Sequence, residues 1–599
     1  MVMNPKISTS EQQSRVVNPD GLFVVQACPG SGKTFAVAAR VASKLKTWDD
    51  GRRDGMAVLS FTNVAWKQIH KELTQSFGFE RGLRYPHFLG TIDSFVNRYI
   101  FLPFGHLVMD SRDRPEMVGE PFGPWRGRNF YEGQFTNLRY TLDGELKLVD
   151  AKQVRSGDAN ALAQVKVAKR RLNSAGFATQ TDADYFAMKV LEYYEVVATA
   201  VARRFPVIMV DEAQDSSAIQ MAILDLLVKH GVKDMILIGD PDQAIFEWRD
   251  ARPDLLAKKA EQGSWKEKSG RLTNNRRSSQ RICEFTWKLT GRNYPPRAVN
   301  EDSGIRECTA CPEIWGYEGT DFQSLVAKFL SLCRKHAIEP NPESVAVLAR
   351  SRGLLKQIAG FAAATSEREP WANNITGELL HLKTLADAHK YPEAWKRARR
   401  ILAVVHLGKA DISGVDMRQV EQEHGLVVLR RLAYMLVSAL PAASGKLEQW
   451  CQAANPKWER FCKSYNPTTS VTILASKQRQ EHRDTDVAAA LSPDETPQAQ
   501  AEYRLGTVHS VKGETLEAVL LFLKQKPGSG EHYRTLLANG KTTRESEELR
   551  IPYVAMTRPR RVLVLAVPLN DMDAWCTRLG DPKDPNGQSP ISETVRDTG

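Results

Sequence analysis

The stretch Ala27-Cys28-Pro29-Gly30-Ser31-Gly32-Lys33-Thr34 fits the relaxed pattern Ala/Gly-x4-Gly-Lys-Ser/Thr. Its glycines let backbone N–H groups turn toward a phosphate chain, and a following helix N-terminus adds a positive dipole end. Lys33 at this spacing reaches the outer phosphates, and the Thr34 hydroxyl can ligate Mg²⁺. Far along the chain, four apolar residues, Val207 to Val210, lead into Asp211 and Glu212. The first carboxylate can hold Mg²⁺ through water, and the second can orient and deprotonate an attacking water. Acidic residues after a strand also serve as helix N-caps, but beside a phosphate loop the pair reads as the other half of a triphosphatase site. Gln243 lies in Pro241-Asp242-Gln243-Ala244-Ile245-Phe246-Glu247-Trp248-Arg249. A glutamine near a γ-phosphate, followed by two aromatics and an arginine, could link nucleotide state to base stacking. Stacking is worth about 1–3 kcal/mol per base; the alternative is that Phe246 and Trp248 are core residues.

These groups need a frame. Leu22 to Gln26 reads as a buried strand, and Phe35 to Leu45 as a helix, so the phosphate loop is a strand–turn–helix element. Ala57 to Asn63, Gly90 to Phe95, Pro206 to Val210 and Met235 to Asp240 read as further strands or strand ends, where open α/β sheets carry ligands. Residues 96 to about 204 break the rhythm with an irregular part (Pro103 to Arg128) and then a basic helix carrying Lys166, Lys169, Arg170 and Arg171. That helix face suits either a nucleic-acid backbone or plain solvent. A second α/β unit opens at Leu272 to Ser279, includes Ser344 to Ala349, and resumes with Gly506 to Thr515, Ala518 to Phe522 and Arg561 to Ala566. Residues from about 356 to 504 interrupt it. They are helical by pattern, as at Trp395 to Val405 and Leu426 to Leu440, and end in a polar linker, Asp484 to Gln500. Gln525 to Glu548 reads as a polar loop, and the chain after about Asp571 as a loosely ordered tail.

Composition narrows the partners. A chain of 599 residues has room for about four domains. Its formal charge of +11 favours a polyanion such as nucleic acid. Eight cysteines are scattered, and Cys308 with Cys311 form a CxxC without a second pair or nearby histidines to complete a zinc site. A disulfide at Cys28 would obstruct the phosphate loop. The thiols therefore read as reduced, no apolar run approaches about 18 residues, and the expectation is a cytoplasmic protein without a membrane partner.

Taken in order, these segments resemble the UvrD/Rep/PcrA family of superfamily 1 DNA helicases. The matching pieces are Ala27–Thr34, Ser60–Asn63, Gly90–Phe95, Val210–Asp215 (a DExQ box), Gly239–Ala251, Asn275–Ser278, Thr507–Gly513 and Tyr553–Arg558. The resemblance implies an α/β protein with two RecA-like P-loop core domains, 1A and 2A, and two mostly helical inserted domains, 1B and 2B. Domain 1A would span 1–95 and 205–271, and 1B 96–204. Domain 2A would span 272–355 and 505–570, 2B 356–504, and a flexible tail 571–599.

The implied cofactors are ATP and Mg²⁺, the latter on Thr34 and Asp211. Gln12 or Gln13 would read the adenine: spacing to Lys33 favours Gln12, the following valines favour Gln13. Ala27, Cys28, Pro29, Gly30, Ser31, Gly32, Lys33 and Thr34 would bind phosphates. Lys33, Asp211, the general base Glu212, the γ-phosphate sensor Gln243 and the arginine fingers Arg277 and Arg558 would do the chemistry. Phe61, Thr62, Asn63, Thr91, Phe246, Trp248, Arg249 and His509 would line the path of single-stranded or partly duplex DNA, with movement 3′ to 5′.

Three departures qualify the match, the smallest being Pro552 just before Tyr553. Arg276 stands where the family has an adenine-stacking tyrosine; a guanidinium plane can also stack. Gly513 is followed by Glu514-Thr515 instead of Leu-Glu, which looks more like helicases that accompany an OLD-family nuclease in anti-phage systems of the Gabija type. Glu514 would then take over a ribose or adjacent contact. A competing expectation is a DNA-sensing ATPase subunit that activates a partner nuclease and unwinds little by itself.

Overall fold

Six strands from both sides of a long insertion build the first sheet. They are β1 (Leu22–Ala27), β2 (Met56–Ser60), β3 (Phe88–Thr91), β4 (Val207–Asp211), β5 (Asp234–Gly239) and β6 (Gly270–Leu272). Across the sheet they run β6-β1-β5-β4-β2-β3, every pairing parallel. The structure is a computed structural model and describes residues 10–49, 51–79, 82–112, 114–117, 123–125, 128–130, 138–148, 159–247, 250–359, 370–406, 417–477, 483–487, 491, 502–524 and 531–580.

The strands read as continuous apolar runs because both faces are covered. Val24, Ala57, Leu59, Ile208, Val210, Met235 and Leu237 pack toward the helices Gln180–Tyr193, Glu195–Arg204 and Ala218–Lys229. Their alternates Phe23, Val25, Met56, Val58, Met209, Ile236 and Ile238 pack toward the helices Lys33–Thr47 and Asn63–Gln75. Because the strands are parallel, all six carboxyl ends share one edge. Residues 28–34, 61–63, 91–95, 211–215, 240–247 and 273–279 therefore emerge side by side.

The second sheet is also all parallel. Its strands are β7 (Glu313–Tyr317), β8 (Val345–Ala349), β9 (Arg504–Thr507), β10 (Leu516–Phe522) and β11 (Pro559–Pro568), in the order β7-β11-β10-β8-β9. Two apolar layers sandwich it. The α/β architecture with parallel sheets fits a RecA-like fold; β6 and β7 are strands that the sequence pattern does not mark.

The insertion in the first sheet mixes helices and short hairpins. The part expected to be irregular from Pro103 starts helical, within Leu102–Phe104 and Gly105–Val108. Two-residue to three-residue strands then pair, such as Leu138–Tyr140 with Leu146–Leu148. The basic helix is Ala159–Ser174. Lys169 is not on its solvent face: it is fully buried, hydrogen-bonds the Leu138 carbonyl, and pairs with Asp182 at 2.8 Å. Burial of Val165, Ala168 and Leu172 turns Lys169 inward with them, while Arg170 and Arg171 stay exposed.

The insertion in the second sheet packs the helices Asn374–Asp387, Tyr391–His406, Met417–Ala439 and Leu447–Tyr465 around their own core. The start of the expected linker at Asp484 is tied to it: the Leu447 N–H donates to the Thr485 carbonyl at 2.9 Å, and Val487 is buried.

Two loop expectations are corrected near the end of the chain. The stretch Gln525 to Glu548 contains the helix Tyr533–Ala538, and Glu547 opens the helix Glu547–Met556. The expected flexible tail from 571 begins as part of the helix Leu569–Leu579, whose Trp575 and Leu579 are fully buried in the second core. Met572, Trp575 and Leu579 fall on one helical stripe, which the polar residues between them mask. Residues 581–599 lie outside the described part.

Candidate active site

β1 delivers the phosphate loop into the shared edge. The Cys28 N–H donates to the Leu272 carbonyl at 2.8 Å, which pins the loop to β6. Gly30 and Gly32 both take left-handed backbone, with φ +70 and +77, which L side chains adopt only under strain. Gly32 then caps the helix Lys33–Thr47 without a side-chain bond, leaving the first N–H groups of that helix directed at the loop. The Ser31 hydroxyl is buried and has no hydrogen-bond partner among the described residues.

Opposite the loop stand the carboxylates at the end of β4. The Thr34 hydroxyl donates to Asp211 Oδ2 at 3.0 Å, and Lys33 Nζ lies 3.3 Å from Glu212 Oε2. Burial, reinforced by the charge of Glu212, pushes Asp211 up to about 6. Burial pushes Glu212 the same way, but Lys33 and other cations outweigh it and hold Glu212 below its usual range. Glu212 itself sits at φ +56, an uncommon conformation for a residue with a side chain. That twist turns its carboxylate back to Lys33 and to Gln214 Nε2, which donates to Oε2 at 2.5 Å. Gln243 follows β5 and donates to Asp240 Oδ2 at 2.7 Å.

The second unit closes the cleft. Arg558 reaches across to hydrogen-bond Gln243 Oε1, while its Nε donates to the Val554 carbonyl at 2.8 Å. Arg277 donates to Thr515 Oγ1 and to the Thr557 carbonyl, each at 3.0 Å. Burial, with Arg558 close by, brings the Arg277 guanidinium down to about 9; burial lowers Arg558 as well. The buried Arg558, the half-buried Arg277, Lys33 and an orphaned serine hydroxyl make an anion site, which fits the phosphates of ATP. A hydroxyl and a carboxylate 3.0 Å apart suit Mg²⁺, which takes few protein ligands and completes its shell with phosphate oxygens and water. Among the described residues no cluster of three or more His, Cys, Asp or Glu forms an all-protein metal cage.

Contact between the units is direct. The Arg276 N–H donates to the Gly30 carbonyl at 2.7 Å, and a Cβ on Gly30 would lie 2.6 Å from Asn275 Oδ1 and 2.7 Å from Arg277 Cβ. The two glutamines of the first helix part ways. Gln12 spends its carboxamide on Thr273 and Asn274, accepting from their N–H groups at 3.0 and 3.2 Å. Gln13 caps its own helix with Ser10, and its Nε2 lies beside Gly32, with Arg276 on the same side. Glu514 turns to Arg504 at 2.5 Å, so Thr515, and not Glu514, meets Arg277.

The same edge carries an aromatic pocket. Phe61 and Phe246 meet at a tilt of 37° with centroids 5.1 Å apart, and His509 adds a ring 5.9 Å from Phe246. Phe246 is 9 % exposed and belongs to the second core, as the alternative reading of this residue has it, so little of its ring is open to a base. Thr62 and Thr91 cap the helices Asn63–Gln75 and Ile92–Val96, accepting from Ala65 N at 3.2 Å and Ser94 N at 3.1 Å. Asn63 is exposed and accepts from Trp66 Nε1 at 3.0 Å. Ser60 and Thr91 are register partners on β2 and β3, which puts these two helix starts side by side. Trp248 and Arg249 lie outside the described residues.

Two arginines at the cleft escape sequence reasoning. Arg292 is half-buried and pairs with Asp240 at 2.7 Å and Asp242 at 2.9 Å, both fully buried. Arg550 is 2 % exposed and holds the Ala244 carbonyl at 2.6 Å, the Thr543 carbonyl at 2.8 Å, and the Glu247 carboxylate. Apart from Thr543, their partners are too distant in sequence for any spacing rule to find them. All eight cysteines are free thiols, and no helix among the described residues is long and apolar enough to cross a membrane.

Comparison with known proteins places this edge in context. Residues 8–113 and 133–263 match the UvrD/REP helicase N-terminal domain. The Gabija protein GajB of Bacillus cereus is 26 % identical over 243 residues, 40 % of this chain and 41 % of that protein. The ATP-dependent DNA helicase PcrA of Staphylococcus epidermidis is 25 % identical over 258 residues, 41 % of this chain and 35 % of its own. DNA helicase II of Haemophilus influenzae is 25 % identical over 301 residues, 47 % and 40 % respectively. The matched part thus spans about two fifths or less of these relatives. Through its first sheet and the insertion within it, the chain is UvrD/PcrA-like.

Proposed function

We propose that the chain is an ATP-dependent DNA helicase that moves along single-stranded DNA. One observation carries the proposal: Lys33, Thr34, Asp211 and Glu212 of the first unit face Arg277 and Arg558 of the second across one cleft. Lys33 and the loop N–H groups bind the triphosphate, with Gln13 and Arg276 beside its base. Bound Mg²⁺ supplies charge neutralisation at the outer phosphates. Lys33 turning to phosphate releases Glu212, which then orients the attacking water and accepts its proton at a carboxylate oxygen. Arg277 and Arg558 stabilise charge on the transferring group, the part for which such arginines are worth about 10³–10⁵ in rate. Closure of the cleft moves the second unit over the aromatic pocket, so each cycle shifts the grip on the strand. The family resemblance supports 3′ to 5′ movement.

The similarity to GajB, with Glu514-Thr515 after Gly513, favours a role in Gabija-type anti-phage defence, beside an OLD-family nuclease subunit. On that reading, sensing DNA and activating the nuclease matter more than unwinding. The deciding experiment is ATP turnover of the purified chain with and without a single-stranded oligonucleotide. Several-fold stimulation is expected. Turnover indifferent to any oligonucleotide, with none retained, reduces the chain to a bare NTPase.

A further inference from the structure

We propose that Lys512 is a positioning residue that ties the aromatic strand pocket to the general base Glu212. The proposal rests on the reading of the chain as a strand-stimulated ATPase. Lys512 belongs to the second unit and ends the short helical turn Val508–Val511 that carries His509. Its Nζ meets three acceptors. It donates to Asp215 Oδ2 at 2.5 Å and to the Gln243 carbonyl at 3.0 Å, and lies 4.5 Å from the centre of the Phe246 ring. Two of the three N–H groups of the ammonium are spent on these oxygens, and its charge lies over the ring face.

Two of these partners sit on different loops of the first unit, after β4 and after β5, so one ammonium clasps both loops to the second unit. Asp215 Oδ2 also accepts from Gln214 Nε2 at 3.3 Å, and the same Nε2 donates to Glu212 Oε2 at 2.5 Å. A continuous row of contacts therefore runs Phe246, Lys512, Asp215, Gln214, Glu212. Asp215 Oδ1 is buried and has no hydrogen-bond partner among the described residues, so Lys512 and Gln214 are what orient this carboxylate. Burial pushes Asp215 up to about 6, and Lys512 opposes that rise.

A buried ion pair is a poor way to add stability, since apolar side chains of the same size do as well or better. This one is 5 % exposed on the lysine and fully buried on the aspartate, and it spans the gap between two units that must move. It suits a device that specifies a position. A base stacking in the pocket displaces the Phe246 ring or its neighbours. The ammonium follows the ring, Asp215 follows the ammonium, and Gln214 resets Glu212 for attack.

The test uses the full chain, oligo(dT) as the probe, and three variants: Lys512→Gln, Lys512→Arg, and Lys512→Met combined with Asp215→Asn. In Lys512→Gln the oligonucleotide-stimulated kcat falls about tenfold, while basal turnover, KM for ATP and oligo(dT) affinity stay within about threefold of wild type. Lys512→Arg restores at least about half of the stimulation. The double variant, which buries no unpaired charge, is as unresponsive as Lys512→Gln. Full stimulation of Lys512→Gln overturns the proposal. So does a loss of oligo(dT) affinity in step with the loss of stimulation, which assigns Lys512 to the strand grip. A double variant that responds normally also overturns it, since the defect then comes from a stranded Asp215 charge. A wild type that ignores oligo(dT) overturns the helicase reading itself, a result visible before any variant is made.

Discussion

Glu212 shows how much local structure one carboxylate can require. Its backbone is strained, its oxygen is shared between Lys33 and Gln214, and the neighbouring Asp211 takes up the proton affinity that burial creates. Held low by Lys33 and other cations, it stays ionised, and the proposed base role begins once Lys33 is drawn to phosphate. Glu212→Gln should therefore bind ATP about as well as wild type while hydrolysing it about 10²- to 10⁴-fold more slowly. Equilibrium binding of a labelled ATP beside steady-state turnover checks this, and a variant that cannot bind ATP contradicts the role. The Lys512–Asp215 pair sets a second limit at this scale. Removing one member of such a buried pair costs about 3–5 kcal/mol, so single and double variants must be compared for stability before their kinetics are read.

At the scale of elements, the phosphate loop is as much a contact surface as a cradle. A methyl on Gly30 would press on Asn275 and Arg277 in a left-handed backbone. Gly30→Ala should thus hinder closure, raising KM for ATP and lowering kcat together, with global stability reduced by about 1–2 kcal/mol for the left-handed backbone. A drop in thermal midpoint large enough to unfold the chain would show that the loop matters to folding first. The helix Leu569–Leu579 makes the opposite case, since it carries no candidate site residue yet buries Trp575 completely, against Tyr533. Trp575→Ala should cost about 3–5 kcal/mol, read as a shift in the denaturant midpoint; a change under about 1 kcal/mol would mean that the second core does not depend on this helix.

The contrast also explains what was legible beforehand. Lys33, Thr34, Asp211 and Glu212 were readable because their chemistry lies in short spacings at the ends of uniformly apolar strands. The same apolar runs gave the parallel sheets. Lys169, Arg292 and Arg550 were not readable, because a paired cation looks like any surface cation until its partner is known. Those partners are Asp182, Asp240 and Asp242, and Glu247 with two carbonyls. Gln12 and Gln13 differ by one position, and only the helix they share decides which faces Gly32.

For the whole molecule, charge and architecture set separate expectations. With +11 overall, binding to single-stranded DNA should weaken steeply with salt, by about 0.7 in log affinity per decade of salt for each phosphate contacted. A titration of oligo(dT) affinity across sodium chloride concentrations measures that slope. A flat profile would place the excess charge away from the strand and leave the aromatic pocket to hold it.

The order β7-β11-β10-β8-β9 has a consequence for how the protein is made. β11, next to the edge strand of the second sheet, is the last of its strands to leave the ribosome, and it must slot between β7 and β10. Until residues 559–568 have been synthesised, the nascent second unit carries a gap with two bare strand edges, the kind of surface that invites pairing with other chains. Translation that stops short of this strand therefore yields a product that also lacks Trp575 and has a standing tendency to aggregate. Arg558 immediately precedes the closing strand, so the candidate catalytic arginine reaches the cleft only when the sheet around it is sealed.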